Sequence, residues 1–416
     1  MTQDNLAMDV TAGIDIGNGY VKAKLAIDGG APKFIDMPSC VTWWNGIQFV
    51  PATATDDLMA DFTNELDCRM RSTAIKASDE HRLLIGRRAV ASGGTPVIFD
   101  INDRTPKCDD SLSYQLIFST LAGAALSEYW DRTHALPTSP LRLDVYAAVA
   151  LPITDYTAYR ERYRQMLMAG EAAHVVHIQN FDREITVEIH FMNVEVLAEG
   201  AAAQYAIADM GAEFMDVALA AARADGMVID EEETGETILS YDNTIGIDIG
   251  EGTVNFPVFR DGRVSVESSS SINKGYGTVL DEVVKAMRNL PYAPQSRKDL
   301  AEFMIKPNPN PRDRRLREKL QVAIDDAIES FVHDVVSEYN RVKRNVLYNL
   351  DVVYVYGGGA NAVRGALYPA LIEASRLDVD VYTPVVWLDS VYSRDLNRNG
   401  MYLVASMARS QRGFGA

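Results

Sequence analysis

An eighteen-residue stretch of this chain occurs twice. Gly13–Gly30 reads G-I-D-I-G-N-G-Y-V-K-A-K-L-A-I-D-G-G, and Gly246–Arg263 reads G-I-D-I-G-E-G-T-V-N-F-P-V-F-R-D-G-R. Aligned without a gap, they share Gly, Ile, Asp, Ile, Gly, Gly, Val, Asp and Gly, nine positions of eighteen. Each copy reads as a buried apolar strand, a Gly-rich turn, a second strand, and an Asp-Gly reverse turn into a third. A repeat spaced at about half the chain predicts two like-folded domains and excludes a solenoid of short repeats.

The residue types in the repeat point to a chemistry. Gly17, Gly19, Gly250 and Gly252 let backbone come close to a ligand, so that N–H groups can face phosphate oxygens. Each copy also puts one carboxylate, Asp15 or Asp248, at the end of a buried strand beside its turn. Two carboxylates beside a polyphosphate suit Mg²⁺, which keeps most of its waters and takes few protein ligands. One such hairpin alone would be an ordinary structural feature; two in matching context argue for a site.

At 416 residues the chain exceeds one ordinary core, so two domains are expected. No apolar run approaches the roughly 20 residues of a membrane span. The first ten residues carry acids and no base, unlike a signal peptide or a basic anchor. Cys40, Cys68 and Cys108 are far apart with no paired spacing, which predicts neither zinc nor a disulfide framework and fits a reducing cytoplasm. The net charge of −18 opposes direct, non-specific binding of nucleic acid. It leaves contact through a basic partner open, and also the plain reading that acidity keeps the protein soluble.

Lys33 to about Cys108 lacks a sustained period and is read as a subdomain inserted into the first domain. In it Trp43 and Trp44 are expected to pack in the core, with a partner surface as the alternative. Asp110–Trp130 has helical spacing, with Asp109, Asp110 or Ser111 as cap; Leu143–Leu151 is a buried strand closed by Pro152. A helix capped by Thr154 or Asp155 and ended at Gly170 follows, then strands Val175–Gln179 and Ile185–Phe191 as a hairpin. In Val194–Ala206 a strand runs into a small-residue helix with Glu199 at the junction. Glu199 is either a first-turn acid stabilised by the helix dipole or a carboxylate aimed at the phosphates.

Beyond the second repeat, Ser268–Gly277 opens a helix over Thr278–Met287. Lys274 and Gly277 at its start are candidates for a phosphate or sugar contact through free N–H donors, an ordinary glycine loop being the alternative. A long amphipathic helix is expected from Asp313 to Leu350. Its basic start (Arg312, Arg314, Arg315, Arg317, Lys319) fits a solvated face or an acidic neighbour as well as nucleic acid. The strand Asp351–Tyr356 ends in Gly357, Gly358, Gly359, Ala360 and Asn361, where a flat ligand could lie against backbone. No shared metal spacing connects the six histidines.

Together these pieces resemble the superfamily of actins, sugar kinases and heat-shock chaperone ATPases. Within it the chain is most similar to the plasmid-segregation actins of the ParM/StbA type. The resemblance rests on both D-I-G hairpins, V-A-L-P-I-T-D-Y (149–156), N-V-E-V-L-A-E-G-A-A-A-Q-Y (193–205), G-G-G-A-N (357–361) and R-N-G-M-Y-L-V (398–404). It implies an α/β actin-like fold, two ribonuclease-H-like domains with inserted subdomains around a nucleotide cleft. The first would cover 1–205, with an insertion over about 33–108 and a C-terminal return over 386–416. The second would cover 206–385, with an insertion over about 278–345.

The resemblance further implies a cytoplasmic ATPase that polymerises with ATP, or with GTP, and loosens after hydrolysis. Its filament would segregate DNA through a DNA-binding adaptor, without direct nucleic-acid or membrane contact. Phosphates would be held by Gly17, Asn18, Gly19, Tyr20 and Lys22, and by Gly250, Glu251, Gly252, Thr253 and Asn255. Asp15 and Asp248 would hold Mg²⁺ mostly through water, Glu199 would activate the attacking water, and Gly357–Asn361 would line the adenosine. Many relatives carry a small residue where Glu251 stands, which bears on nucleotide preference and metal placement. The alternative function is a small-molecule kinase of sugar-kinase type. A chaperone would need a further substrate-binding domain, and a non-hydrolysing scaffold would not need all three carboxylates.

Overall fold

Every strand of the first glycine repeat lies in one ten-stranded sheet. The computed structural model describes residues 7–46, 51–100, 105–170, 172–307, 310–346 and 350–413. Two units divide the chain, Met1–Ala206 with Asn397–Ala416, and Ile207–Leu396.

The first unit's strands are β1 (Ala7–Ile16), β2 (Tyr20–Ile27), β3 (Lys33–Pro38), β4 (Cys40–Trp43), β5 (Asp67–Arg71), β6 (Leu83–Ile85), β7 (Val97–Ile98), β8 (Leu141–Leu151), β9 (His174–Ile178) and β10 (Ile185–Ala198). They are ordered β3-β2-β1-β8-β10-β9-β5-β6-β4-β7. Within residues 33–108, β3 pairs with β2, and β5 extends the sheet from β9. β1–β8 and β8–β10 are parallel, which requires crossovers. The helices α1 (Ser111–Thr133) and α2 (Ile153–Met168) lie in those crossovers. Burial along β8 alternates at first and becomes continuous from Ala147, as in a strand covered on both faces.

The Asp110 side chain caps α1 by accepting from Leu112 N, and α1 is buried on every side from Ser111 to Leu126. Neither Thr154 nor Asp155 caps α2. The helix begins directly after Pro152, whose carbonyl accepts from Asp155 N and Tyr156 N. The two strands expected over 185–198 are one, bent by a bulge between Phe191 and Asn193 that keeps Val194 buried in register with Ala147. Trp44 packs beside Cys40, Leu84 and Ala89, but Trp43 is 46% exposed and tilts against His81, contrary to the core role expected of it. From β10 the chain passes through Glu199 into α3 (Ala202–Asp209).

The second unit opens with α4 (Ala212–Ala224) and carries β11 (Thr244–Ile249), β12 (Val254–Phe256), β13 (Val258–Arg260), β14 (Arg263–Val264), β15 (Ser270–Ile272) and β16 (Val352–Tyr356). A two-stranded hairpin, β17 (Arg376–Asp378) and β18 (Val381–Tyr382), precedes β19 (Val385–Trp387). β11 is antiparallel to β12 and parallel to β16, as β1 is to β2 and β8. The second repeat differs in one respect: Pro257 lacks an N–H, so its second strand is split into β12 and β13. Helices α5 (Tyr276–Met287), α6 (Arg297–Ile305), α7 (Pro311–Val346) and α8 (Ala360–Ala374) complete the unit. Leu320, Ile324, Phe331, Val335, Val342 and Val346 form the buried stripe of α7; residues 347–349, in the expected last turn, lie outside the described residues.

β19 pairs with β16, so the return to the first unit begins after it, at Asn397, and is made by α9 (Leu396–Gly413). Gly13 and Gly400 permit that return. A Cβ on Gly400 would lie 1.7 Å from Ala202 O, and one on Gly13 would lie 2.2 Å from Tyr402 N. Arg398, a buried residue of α9, pairs with Asp36 at 2.9 Å.

Candidate functional site

In the first unit the turn after β1 is closed by Gly17 N donating to Tyr20 O at 3.0 Å. Its carbonyls are held from one side: Ser39 Oγ donates to Gly17 O (2.7 Å) and Ser39 N to Gly19 O (2.9 Å). No described peptide is cis, and a trans peptide carries its C=O and N–H on opposite sides. The N–H groups of Asn18 and Tyr20 therefore point away from Ser39. Two backbone amides thus project from one face of the glycine turn.

Asp15 stands one strand step before this turn, opposite Lys22 in the β1–β2 ladder. Burial raises its pKa, Lys22 opposes that rise, Glu199 adds to it, and Lys107 and Arg398 oppose it further. Glu199 is fixed by its backbone N–H donating to Leu151 O at 2.8 Å. Its carboxylate accepts from Lys107 Nζ at 2.5 Å, and the same ammonium donates to Ile16 O at 2.7 Å. Glu199, Asp15 and Lys107 thus gather at the carboxyl ends of parallel strands β1, β8 and β10. Open α/β sheets bind ligands at that end.

The second unit repeats the construction. Gly250 N donates to Thr253 O at 2.9 Å. Gly250 O and Glu251 O accept from Tyr276 N (3.0 Å) and Gly277 N (2.8 Å), the first amides of α5. By the same peptide geometry, the N–H groups of Glu251 and Gly252 point away from α5. Asp248, 7% exposed, sits opposite Asn255 in the ladder, and Asn255 is 5% exposed with its buried Oδ1 lacking a hydrogen-bond partner. Gly357 adopts φ +106°, and a Cβ there would come within 2.5 Å of Asp248 Oδ1 and Ile249 O. Gly359 N donates to Ile249 O at 2.8 Å, which seats the triple-glycine loop on the end of β11 and leaves Gly358 and Asn361 exposed.

Two expected contacts take a different form. The amide of Gly277 is not free at the helix start but bonded to the turn, and a Cβ on Gly277 would strike Glu251. Lys274 pairs with Asp334 of α7 at 2.6 Å, which raises its pKa. The K-G-Y-G segment therefore serves close packing of α5 against the second turn. Three residues were not singled out from the sequence: Ser39, Lys107 and Arg297, whose guanidinium contacts Glu251 at 2.7 Å. Each acts across a long sequence separation and lies outside any motif.

A hairpin with a parallel neighbour strand in each of two units, and a glycine turn beside a carboxylate in each hairpin, define the actin-like fold. Residues 13–201 match the family of actin-like proteins, N-terminal domain. Among solved structures the chain is similar to the actin-like protein Alp7A, with 14% identity, TM-score 0.65, and 98% of each chain covered. It is similar to an archaeal actin homologue at 13% identity and TM-score 0.60, covering 96% of this chain and 99% of that one. It is also similar to Bacillus thuringiensis ParM solved with ATP, at 14% identity and TM-score 0.57, covering 96% and 99%. No curated protein matches the chain by sequence.

Proposed function

We propose that this protein is an ATPase whose homopolymeric filament grows with bound nucleotide, loosens on hydrolysis, and drives DNA segregation through a DNA-binding adaptor. The observation that carries the reading is the repetition of one device: a glycine turn with outward amides, directly after a strand whose penultimate residue is a carboxylate. ATP is the ligand favoured, because ParM of Bacillus thuringiensis has been solved with ATP and with ADP. Phosphate oxygens accept from the amides of the turns at Gly17–Tyr20 and Gly250–Thr253, with Lys22 supplying positive charge. Gly357–Asn361 lines the adenosine, its glycines allowing backbone approach.

Mg²⁺ bound to phosphates needs only one or two carboxylates, largely through water, and one carboxylate stands beside each glycine turn. Asp15 and Asp248 would hold it, and it would neutralise charge on the phosphates. Glu199 accepts the proton of the attacking water or orients it, and Lys107 fixes the carboxylate that does so. Catalysis is then positioning and charge neutralisation, with little covalent chemistry from the protein.

No helix among the described residues is long and apolar enough to cross a membrane. Filament contact between copies, the adaptor and a cytoplasmic location belong to the same proposal. Phosphate release from Mg²⁺-ATP tests it. Glu199→Gln should slow release about 100-fold or more, the scale of general-base catalysis, while ATP binding persists. Release by E199Q at the wild-type rate would overturn the role given to Glu199.

A further inference from the structure

Glu251 is an unexpected residue for an anion site. Its amide faces outward with that of Gly252, yet its own side chain is a carboxylate in the middle of the turn. Arg297, the first residue of α6, resolves the conflict. Its Nη1 contacts Glu251 Oε1 at 2.7 Å and its Nε contacts Asp281 Oδ1 on α5 at 2.6 Å. One guanidinium thus joins the turn, α5 and α6.

The contact sits against Gly277, where a Cβ would lie 2.4 Å from Arg297 Nη1, 2.7 Å from Glu251 Cγ and 2.8 Å from Glu251 O. Arg297 and Glu251 side chains are 34% and 46% exposed, and pairs so wet contribute little to stability. A pair that adds so little stability, yet sits on the glycine turn itself, is better explained by electrostatics at the turn. Glu251, Asp281 and Arg297 together carry one net negative charge. Without Arg297 they carry two, one of them on the turn that faces phosphate.

We propose that Arg297 is a positioning residue for nucleotide binding: it neutralises Glu251 and holds that carboxylate against α5, so that the second glycine turn accepts an anion. This rests on the nucleotide reading above. An uncompensated charge about 6 Å from a phosphate at an effective dielectric of about 40 corresponds to about a tenfold loss of affinity.

The test is titration of the full-length protein with ADP and Mg²⁺ at low ionic strength, with thermal unfolding as a check on folding. Arg297→Gln should weaken ADP binding about tenfold, and Arg297→Lys, which keeps the charge, should lose about threefold or less. Adding Glu251→Gln to R297Q returns the net charge of the trio to its wild-type value and should restore affinity to within about twofold. Adding Asp281→Asn restores the same net charge but leaves Glu251 charged on the turn, and should not rescue. Equal weakening of R297Q and of E251Q/R297Q would make Arg297 a mere staple between helices and overturn the proposal. Wild-type affinity in R297Q would overturn it too. Failure of the wild-type protein to bind ADP would instead overturn the nucleotide reading beneath it.

Discussion

Replacing Lys107 by Met removes one ammonium and keeps most of the side chain's bulk. In the native protein that ammonium holds Glu199 at 2.5 Å and Ile16 O at 2.7 Å, with side-chain exposures of 12% for Lys107 and 16% for Glu199. A hydrogen bond to a charged group contributes about 1.5–3 kcal/mol. Breaking a fully buried pair costs about 3–5 kcal/mol. This pair is partly wet, so Lys107→Met should cost about 2–3 kcal/mol. Glu199→Gln keeps an oxygen acceptor and should cost less. In the double variant the stranded carboxylate is absent, so the coupling in the K107M/E199Q cycle should be about 1–2 kcal/mol. Urea unfolding followed by tryptophan fluorescence reads this directly, because Trp43, Trp44 and Trp130, three of the four tryptophans, lie in the first unit. A cost below about 0.5 kcal/mol for K107M, or coupling near zero, would refute the tether.

Three further outcomes follow from the first unit. Gly400→Ala would put a Cβ 1.7 Å from Ala202 O, so the crossing of α9 and α3 must open; a loss of about 3 kcal/mol or more in unfolding free energy is expected, and an unchanged melting temperature would contradict the packing. His174 is buried between Ser72 Oγ and Leu167 O, both at 2.7 Å, and stacked on Phe118, and burial lowers its pKa below 6.5. The stability it contributes is therefore complete above about pH 6.5 and lost as pH falls through the lowered value, at up to about 1.4 kcal/mol per pH unit; His174→Gln should flatten that limb of the stability curve. Cys40, Cys68 and Cys108 are buried, with Cys40 and Cys108 pushed up to about 11, so thiol reagents should modify the native protein slowly and the urea-unfolded protein at once.

The fold was legible where local residues determine local geometry. The hairpins, the Asp110 cap of α1 and the apolar stripe of α7 follow from turn chemistry and periodicity, which act within a few residues. The sequence also placed Asp15 and Asp248 beside their turns, because register in a tight hairpin follows from the turn. It misjudged Trp43, since Trp44, just past the end of β4, takes the packing position and Trp43, the strand's last residue, faces outward. K-G-Y-G reads both as a phosphate-binding helix start and as an ordinary glycine loop, because glycine serves close packing and ligand approach alike; the Gly277 amide is bonded to Glu251 O. Side-chain pairs such as Lys107–Glu199 and Glu251–Arg297, separated by 92 and 46 residues, leave no local pattern to read.

The central claim, a nucleotide-driven filament, is tested most directly by light scattering of the purified protein with Mg²⁺ and ATP, recorded together with phosphate release. Scattering should rise with ATP, stay flat with ADP, and decay as phosphate accumulates. Phosphate release without scattering over a wide range of protein concentration would contradict the filament and favour a kinase or other soluble ATPase.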